Sequence, residues 1–208
     1  MKTEEEYIKD LSEIRHMMEK STKFLSLAGW SGILAGMYGL AGTFVVYRFF
    51  DLESIEVNYI SGTGPDFWAD VFKLITVASI ILLLAIGTVI FLSIKKAKKN
   101  NEMLWNATTR RLVLNMAIPL FTGGVFILIL IAKGIFGLTM PLTLIFYGLS
   151  LVNASRFTFD ELRYMGILEI VLGILSTWFI NYSLLFWALG FGMLHIIYGI
   201  YMYWRYER

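Results

Sequence analysis

Two ionisable residues sit in the middle of apolar runs near the end of the chain. Tyr164-Met-Gly-Ile-Leu-Glu169-Ile-Val-Leu-Gly173 holds a carboxyl group, and Trp187-Ala-Leu-Gly-Phe-Gly-Met-Leu-His195-Ile-Ile-Tyr-Gly199 holds an imidazole. Asn181-Tyr182-Ser183 is a short polar break between them. If the two runs form a helical hairpin, Glu169 and His195 lie about equally far from the break, roughly 20 Å at 1.5 Å per residue, and can meet. A carboxyl and an imidazole in contact can hold or exchange a proton, or can form a neutral, hydrogen-bonded clamp. An ionisable group at membrane depth is costly, which marks it as a functional residue with a partner to be named. Gly166, Gly173 and Thr177 beside Glu169, and Ala188, Gly192 and Gly199 beside His195, are expected to face one seam and let the two helices approach.

Other polar positions extend the pattern. Pro119 removes a backbone donor and leaves the carbonyl of Asn115 without its helical partner, and Gly123-Gly124 follow one turn later. A span interrupted in this way and carrying an Asn points to a solute or ion path. Asn153 is a further contributor from the fourth span. A metal or haem site is not supported, because the only histidines are His16 and His195 and the chain has no cysteine. No cofactor is expected. Gly29-Trp-Ser31-Gly32 together with His195 is similar to the Gly-x-Ser-Gly and histidine of rhomboid intramembrane proteases. Here, however, the serine falls on the first span rather than the fourth and no second intramembrane histidine appears, so Ser31 reads as a packing residue and the chain as a non-enzyme.

The elements that position these residues follow from composition. Hydrophobic residues make up 57% of the 208 residues and charged ones 16%, against about half and about a quarter in soluble domains. The charges are confined to short stretches between long uncharged runs, which predicts an all-α integral membrane bundle of six transmembrane helices. The spans fall at about 24–50, 71–94, 112–132, 138–154, 159–180 and 183–204. Gly32-x-x-x-Gly36 in the first span predicts close packing against another helix. The fourth, at roughly 24 Å, is short for a ~30 Å hydrocarbon core. Thr158-x-x-Glu161 has the form of a capping box opening the fifth.

Residues 1–23 form a separate segment. Tyr7, Ile8, Leu11, Ile14, Met17 and Met18 make one apolar stripe, which predicts an amphipathic cytoplasmic helix resting on the bundle or on headgroups, or docking a protein partner. With the N-terminus inside, fifteen of the eighteen Lys and Arg residues fall on cytoplasmic segments, and both termini are cytoplasmic. Lys95, Lys96, Lys98 and Lys99 set this topology and could also hold anionic lipid. No basic stripe stands apart from the membrane flanks, so nucleic acid is not an expected partner. Gly32 to Thr43 echoes Gly166 to Thr177 at a constant offset, with Ala35 where Glu169 stands; chance similarity of Gly- and Leu-rich helices accounts for it.

Three stretches carry a resemblance: Ile14 to Gly36, Phe146-Tyr-Gly-Leu-Ser-Leu-Val-Asn-Ala-Ser155, and Phe186 to Gly199. Over essentially its whole length the chain resembles a family of uncharacterised bacterial inner-membrane proteins with no assigned activity. The resemblance implies a bacterial cytoplasmic membrane and brings no catalytic residues. Two function classes are consistent with these readings. One is small-solute or proton-linked ion transport through the polar region around Glu169 and His195. The other is a non-transporting sensor or accessory subunit that docks a cytoplasmic partner through the N-terminal helix; a second copy of the chain, as a homo-oligomer, is the other protein partner that the sequence allows.

Overall fold

The structure, a computed structural model, describes residues 29–49, 67–100 and 105–208. The N-terminal amphipathic segment falls outside the described residues. Those described are all-helical, with no strand, and form six helices. They are α1 (Gly29–Phe49), α2 (Phe67–Lys99), α3 (Ala107–Ala132), α4 (Thr139–Ala154), α5 (Glu161–Trp178) and α6. α6 joins Ser183–Trp187, a π-helical stretch Ala188–Leu194 and His195–Tyr206 without a break. Four helices are long and apolar enough to cross a membrane: α1, α2, α3 and the stretch that ends in α6. α4 has 16 residues, and α5 carries Glu161, Arg163 and Glu169 within its 18.

Local sequence accounts for the boundaries. Asn106 starts α3 by accepting the backbone N–H of Thr109 at 2.8 Å, so this helix begins a turn before the expected Leu112. α3 runs through Pro119 as one helix. It ends at Lys133, and Gly134 follows at φ 75°, a left-handed conformation that glycine alone adopts cheaply. Pro141 occupies the first turn of α4, where its missing N–H is no loss. α2 begins at Phe67, ahead of the expected Val71, and continues through Lys95 to Lys99. α5 has Asp160 rather than Thr158 at its N-cap position, and the Glu161 carboxylate accepts from the Tyr206 hydroxyl at 2.8 Å across to α6.

Two glycine seams hold the bundle. In the first, α1 runs antiparallel to α6. A Cβ at Gly36 would stand 2.6 Å from the Gly192 carbonyl oxygen, and one at Gly32 would stand 3.1 Å from the Gly199 Cα. In the second, α4 and α5 meet with Gly148 and Gly166 opposed, where a Cβ on Gly148 would lie 2.5 Å from the Gly166 oxygen. Gly173 likewise faces Pro141 and Ile145. The expectation of a single small-residue seam between the last two helices is therefore corrected. Gly166 and Gly173 admit α4, whereas Gly192 and Gly199 admit α1. Backbones approach this closely only where neither helix carries a side chain, so each seam needs its own small residues on both partners. α3 packs on α4 and α2 on α1, the latter joined by a 3.2 Å contact between Tyr38 Oη and Thr88 Oγ1.

The end of the bundle carrying Lys95–Lys99, Glu161 and the C-terminus is tied by polar contacts and is called the basic end. Glu207 Oε1 accepts the Gly29 backbone N–H at 2.7 Å and lies 2.9 Å from Lys96 Nζ. A carboxylate at the start of α1 suits the positive end of that helix. Lys96 is thereby engaged within the protein, while Lys95, Lys98 and Lys99 are exposed. At the opposite end Trp68 meets Phe136 edge to face at 6.3 Å, and Val71 is buried against the same ring. Large apolar side chains cover the outside, among them Phe121 at 75% and Leu83 at 69% exposure, as the wall of a lipid-embedded bundle requires.

Candidate functional site

Glu169 lies in the middle of α5, and the approach of α4 and α6 encloses it completely, at 0% exposure. Leu144 of α4 and Gly190 of α6 form its walls; a side chain at Gly190 would occupy the space of the Glu169 carboxyl group and of Leu144. Gly190 is therefore the position that lets α6 come up to the acid. Glu169 Oε1 stands 3.6 Å from His195 Nδ1. The structure thus brings the two ionisable residues of the closing hairpin together.

Their hydrogen bonding is unequal. His195 is held at both nitrogens: Nδ1 is 3.0 Å from the Gly190 carbonyl oxygen and Nε2 is 2.8 Å from Tyr147 Oη. A carbonyl can only accept, so Nδ1 carries a proton and donates it to Gly190. In the neutral imidazole the Tyr147 hydroxyl then donates to Nε2. The ring is also stacked, 5.4 Å from the Tyr147 ring and 5.9 Å from that of Phe191. Glu169 differs in every respect. At 3.6 Å the imidazole is beyond hydrogen-bond length, and neither carboxyl oxygen has a hydrogen-bond partner within the described residues.

The π-helical stretch explains the histidine's placement. Ala188–Leu194 is wound with one extra residue in the turn, which shifts the register and brings the side chain of His195 back over the carbonyl of Gly190. Such turns cost stability and recur at functional sites. Two glycines, Gly190 and Gly192, lie inside it, and both are buried. Tyr147 of α4, the third member of the group, was not singled out by the sequence; as one aromatic in an apolar run it has no distinguishing spacing.

The remaining candidates are placed elsewhere. Asn115 donates its side-chain amide to the Arg111 carbonyl of its own helix at 2.8 Å. α3 has α4 as its main neighbour, so Asn115 and Pro119 belong to the wall behind α4. Asn153 is half-buried on α4, six residues beyond Tyr147, which at about 3.6 residues per turn faces it a third of a turn away from that ring. Ser31 is buried in α1, and both nitrogens of His195 are already taken by Tyr147 and Gly190. Among the described residues no group of three His, Cys, Asp or Glu side chains is arranged to hold a metal ion. Compared with protein-family models, curated proteins and solved structures, the chain matches none.

Proposed function

We propose that this chain is a multi-pass protein of a bacterial inner membrane, with six spans and both termini cytoplasmic. In this reading it moves a small solute or ion in step with a proton carried by Glu169. The distribution of Lys and Arg supports the orientation. α4 and α5 complete the six: α4 lies between α3 and α5 and touches α6, with Leu144, Ser150 and Ala154 fully buried, while α5 turns Ile167, Val171 and Ile174 outward as a lipid-facing wall would. The stretch just beyond the short α4 on its N-terminal side, Gly134 to Gly137, is apolar enough to sit at membrane depth.

One observation carries the functional reading. A carboxyl group is enclosed at 0% exposure, 3.6 Å from an imidazole, with both oxygens left without a hydrogen bond among the described residues. A residue kept only to clamp two helices would spend its oxygens on donors, since an orphaned buried acceptor costs about 1–3 kcal/mol. A proton is the ligand that such an acid can take and give back. His195, fixed by Tyr147 and Gly190 with the proton already on the Nδ1 that faces the acid, is held at a constant distance to stabilise the carboxylate that the departing proton leaves.

The test is proton movement in vesicles containing the purified protein. Wild type is expected to dissipate an imposed pH gradient faster than empty vesicles, with the rate falling to the empty-vesicle level in Glu169→Gln. Equal rates in wild type and a correctly folded Glu169→Gln would discard transport at this site. The accessory-subunit reading would then be examined by pull-down with residues 1–23 deleted.

A further inference from the structure

Between α5 and α6, at the basic end, a groove of about 650 Å³ opens toward the surface. Its mouth is framed by Glu161, Arg205 and Tyr206, and Arg205 Nε lies 3.4 Å from Glu161 Oε1. Its inner wall includes Met165, one turn before Glu169, Leu168, the residue next to it, and Leu194, the residue next to His195. Tyr198 also lines it. Neither Glu169 nor His195 lines the groove, which stops within one helical turn of each along α5 and α6. Along α5 the distance from Glu161 to Glu169 is about 12 Å, and along α6 that from Arg205 to His195 is about 15 Å.

Tyr198 is the polar residue of this lining nearest to His195 along α6. It is one helical turn from His195, about 4.5 Å along the axis. Its ring packs against the cluster of Leu151, Ala154, Leu162 and Met165, on which Tyr147 packs as well. Its phenol oxygen is buried and, like the oxygens of Glu169, has no hydrogen-bond partner within the described residues. Two orphaned polar groups thus lie on facing helices, Tyr198 in the lining of the groove and Glu169 enclosed one turn beyond Met165.

We propose that the groove is the inner vestibule of the Glu169 site, through which protons pass between the cytoplasm and the buried acid, with Tyr198 as the hydroxyl at its narrowest point. This deepens the proton-linked reading above and rests on it. The titratable and charged groups lining the groove are Asp160, Glu161 and Tyr164 on the α5 side and Tyr198, Tyr201, Arg205 and Tyr206 from α6; beyond it, His195 of α6 and Tyr147 of α4 adjoin Glu169. A metal cation is not the ligand, because the single carboxyl group of Glu169 falls far short of the six or so oxygens that such ions require. A proton needs only the acid and a hydroxyl or water to move along.

The chain contains no cysteine, so single-cysteine variants report access directly. In oriented vesicles, Leu194→Cys and Met165→Cys are expected to react with a small cationic, membrane-impermeant thiol reagent from the cytoplasmic side and not from the other. Leu185→Cys, outside the groove, is the control and should show no such cytoplasmic reaction. Tyr198→Phe, which keeps the ring and removes the hydroxyl, should slow gradient dissipation severalfold with unchanged folding. Failure of both groove cysteines to react in folded protein would overturn the vestibule, even if Glu169→Gln still abolished proton movement. Reactive cysteines with a fully active Tyr198→Phe would remove Tyr198 from the course. Reactive cysteines with an unaffected Glu169→Gln would instead count against the proton-linked reading itself.

Discussion

Glu169→Met is expected to make the protein more stable while ending its proton movement. Methionine fills a similar volume with a flexible apolar chain, and it deletes two buried acceptors that find no donor among the described residues. Replacing an orphaned polar group by an apolar one of like shape recovers the desolvation penalty of that group, about 1–3 kcal/mol in water-soluble proteins. Within a membrane or micelle the separated helices also satisfy part of that need, so the lower end of the range applies, roughly 1 kcal/mol. For a chain of this length that corresponds to a thermal midpoint raised by about 2–4 °C. Thermal unfolding of the detergent-solubilised protein reads it. A clamp predicts the reverse sign, because there the acid contributes a contact that methionine cannot make.

His195→Leu is expected to move stability the other way, and further. The imidazole satisfies the Tyr147 hydroxyl at 2.8 Å and the Gly190 carbonyl at 3.0 Å, and its ring stacks with Tyr147 and Phe191. Leucine leaves both polar groups without this partner, at about 1–3 kcal/mol each before allowance for the membrane. A loss of about 2–4 kcal/mol and a midpoint lowered by several degrees follow. Adding Tyr147→Phe removes one of the two orphans, so the double variant should recover part of the loss; a double variant as unstable as the sum of the singles would contradict the assignment. Adjacent members of one buried pair thus carry opposite signs: His195 is held by its surroundings and Glu169 is not.

How much of this was legible in the sequence depends on the kind of signal. The approach of Glu169 to His195 was legible because both lie the same number of residues from the polar break, and antiparallel helices bring equal distances together. That Gly32 and Gly36 face another helix was legible from their spacing. The identity of that helix was not, since small residues announce close approach without naming the partner. For the same reason Gly166, Gly173, Gly192 and Gly199 were grouped into one seam, although α4 claims the first two and α1 the others. Tyr147 was invisible because it makes its contribution by position in three dimensions. The π-helical turn was equally hidden, for Gly190 and Gly192 look like ordinary membrane-helix glycines until the Gly190 carbonyl is seen facing the imidazole. Glu207 carries no spacing signal; it joins α1 to Lys96 of α2 because the antiparallel packing of α1 on α6 brings the last turn of α6 beside the first described helix. The helix ends shifted where a cap or a charged turn lay outside the apolar run, as at Asn106 and at Lys95 to Lys99.

The account turns on whether the Glu169 carboxyl exchanges its proton with the aqueous phase. Difference infrared spectroscopy of the protein in lipid, titrated with pH and compared with Glu169→Gln, measures this most directly. The prediction is a carbonyl band of a buried carboxylic acid that loses intensity as pH rises, with a matching gain of carboxylate bands, both absent from Glu169→Gln. A Glu169-dependent band that stays constant across the range in which the protein remains folded would contradict it.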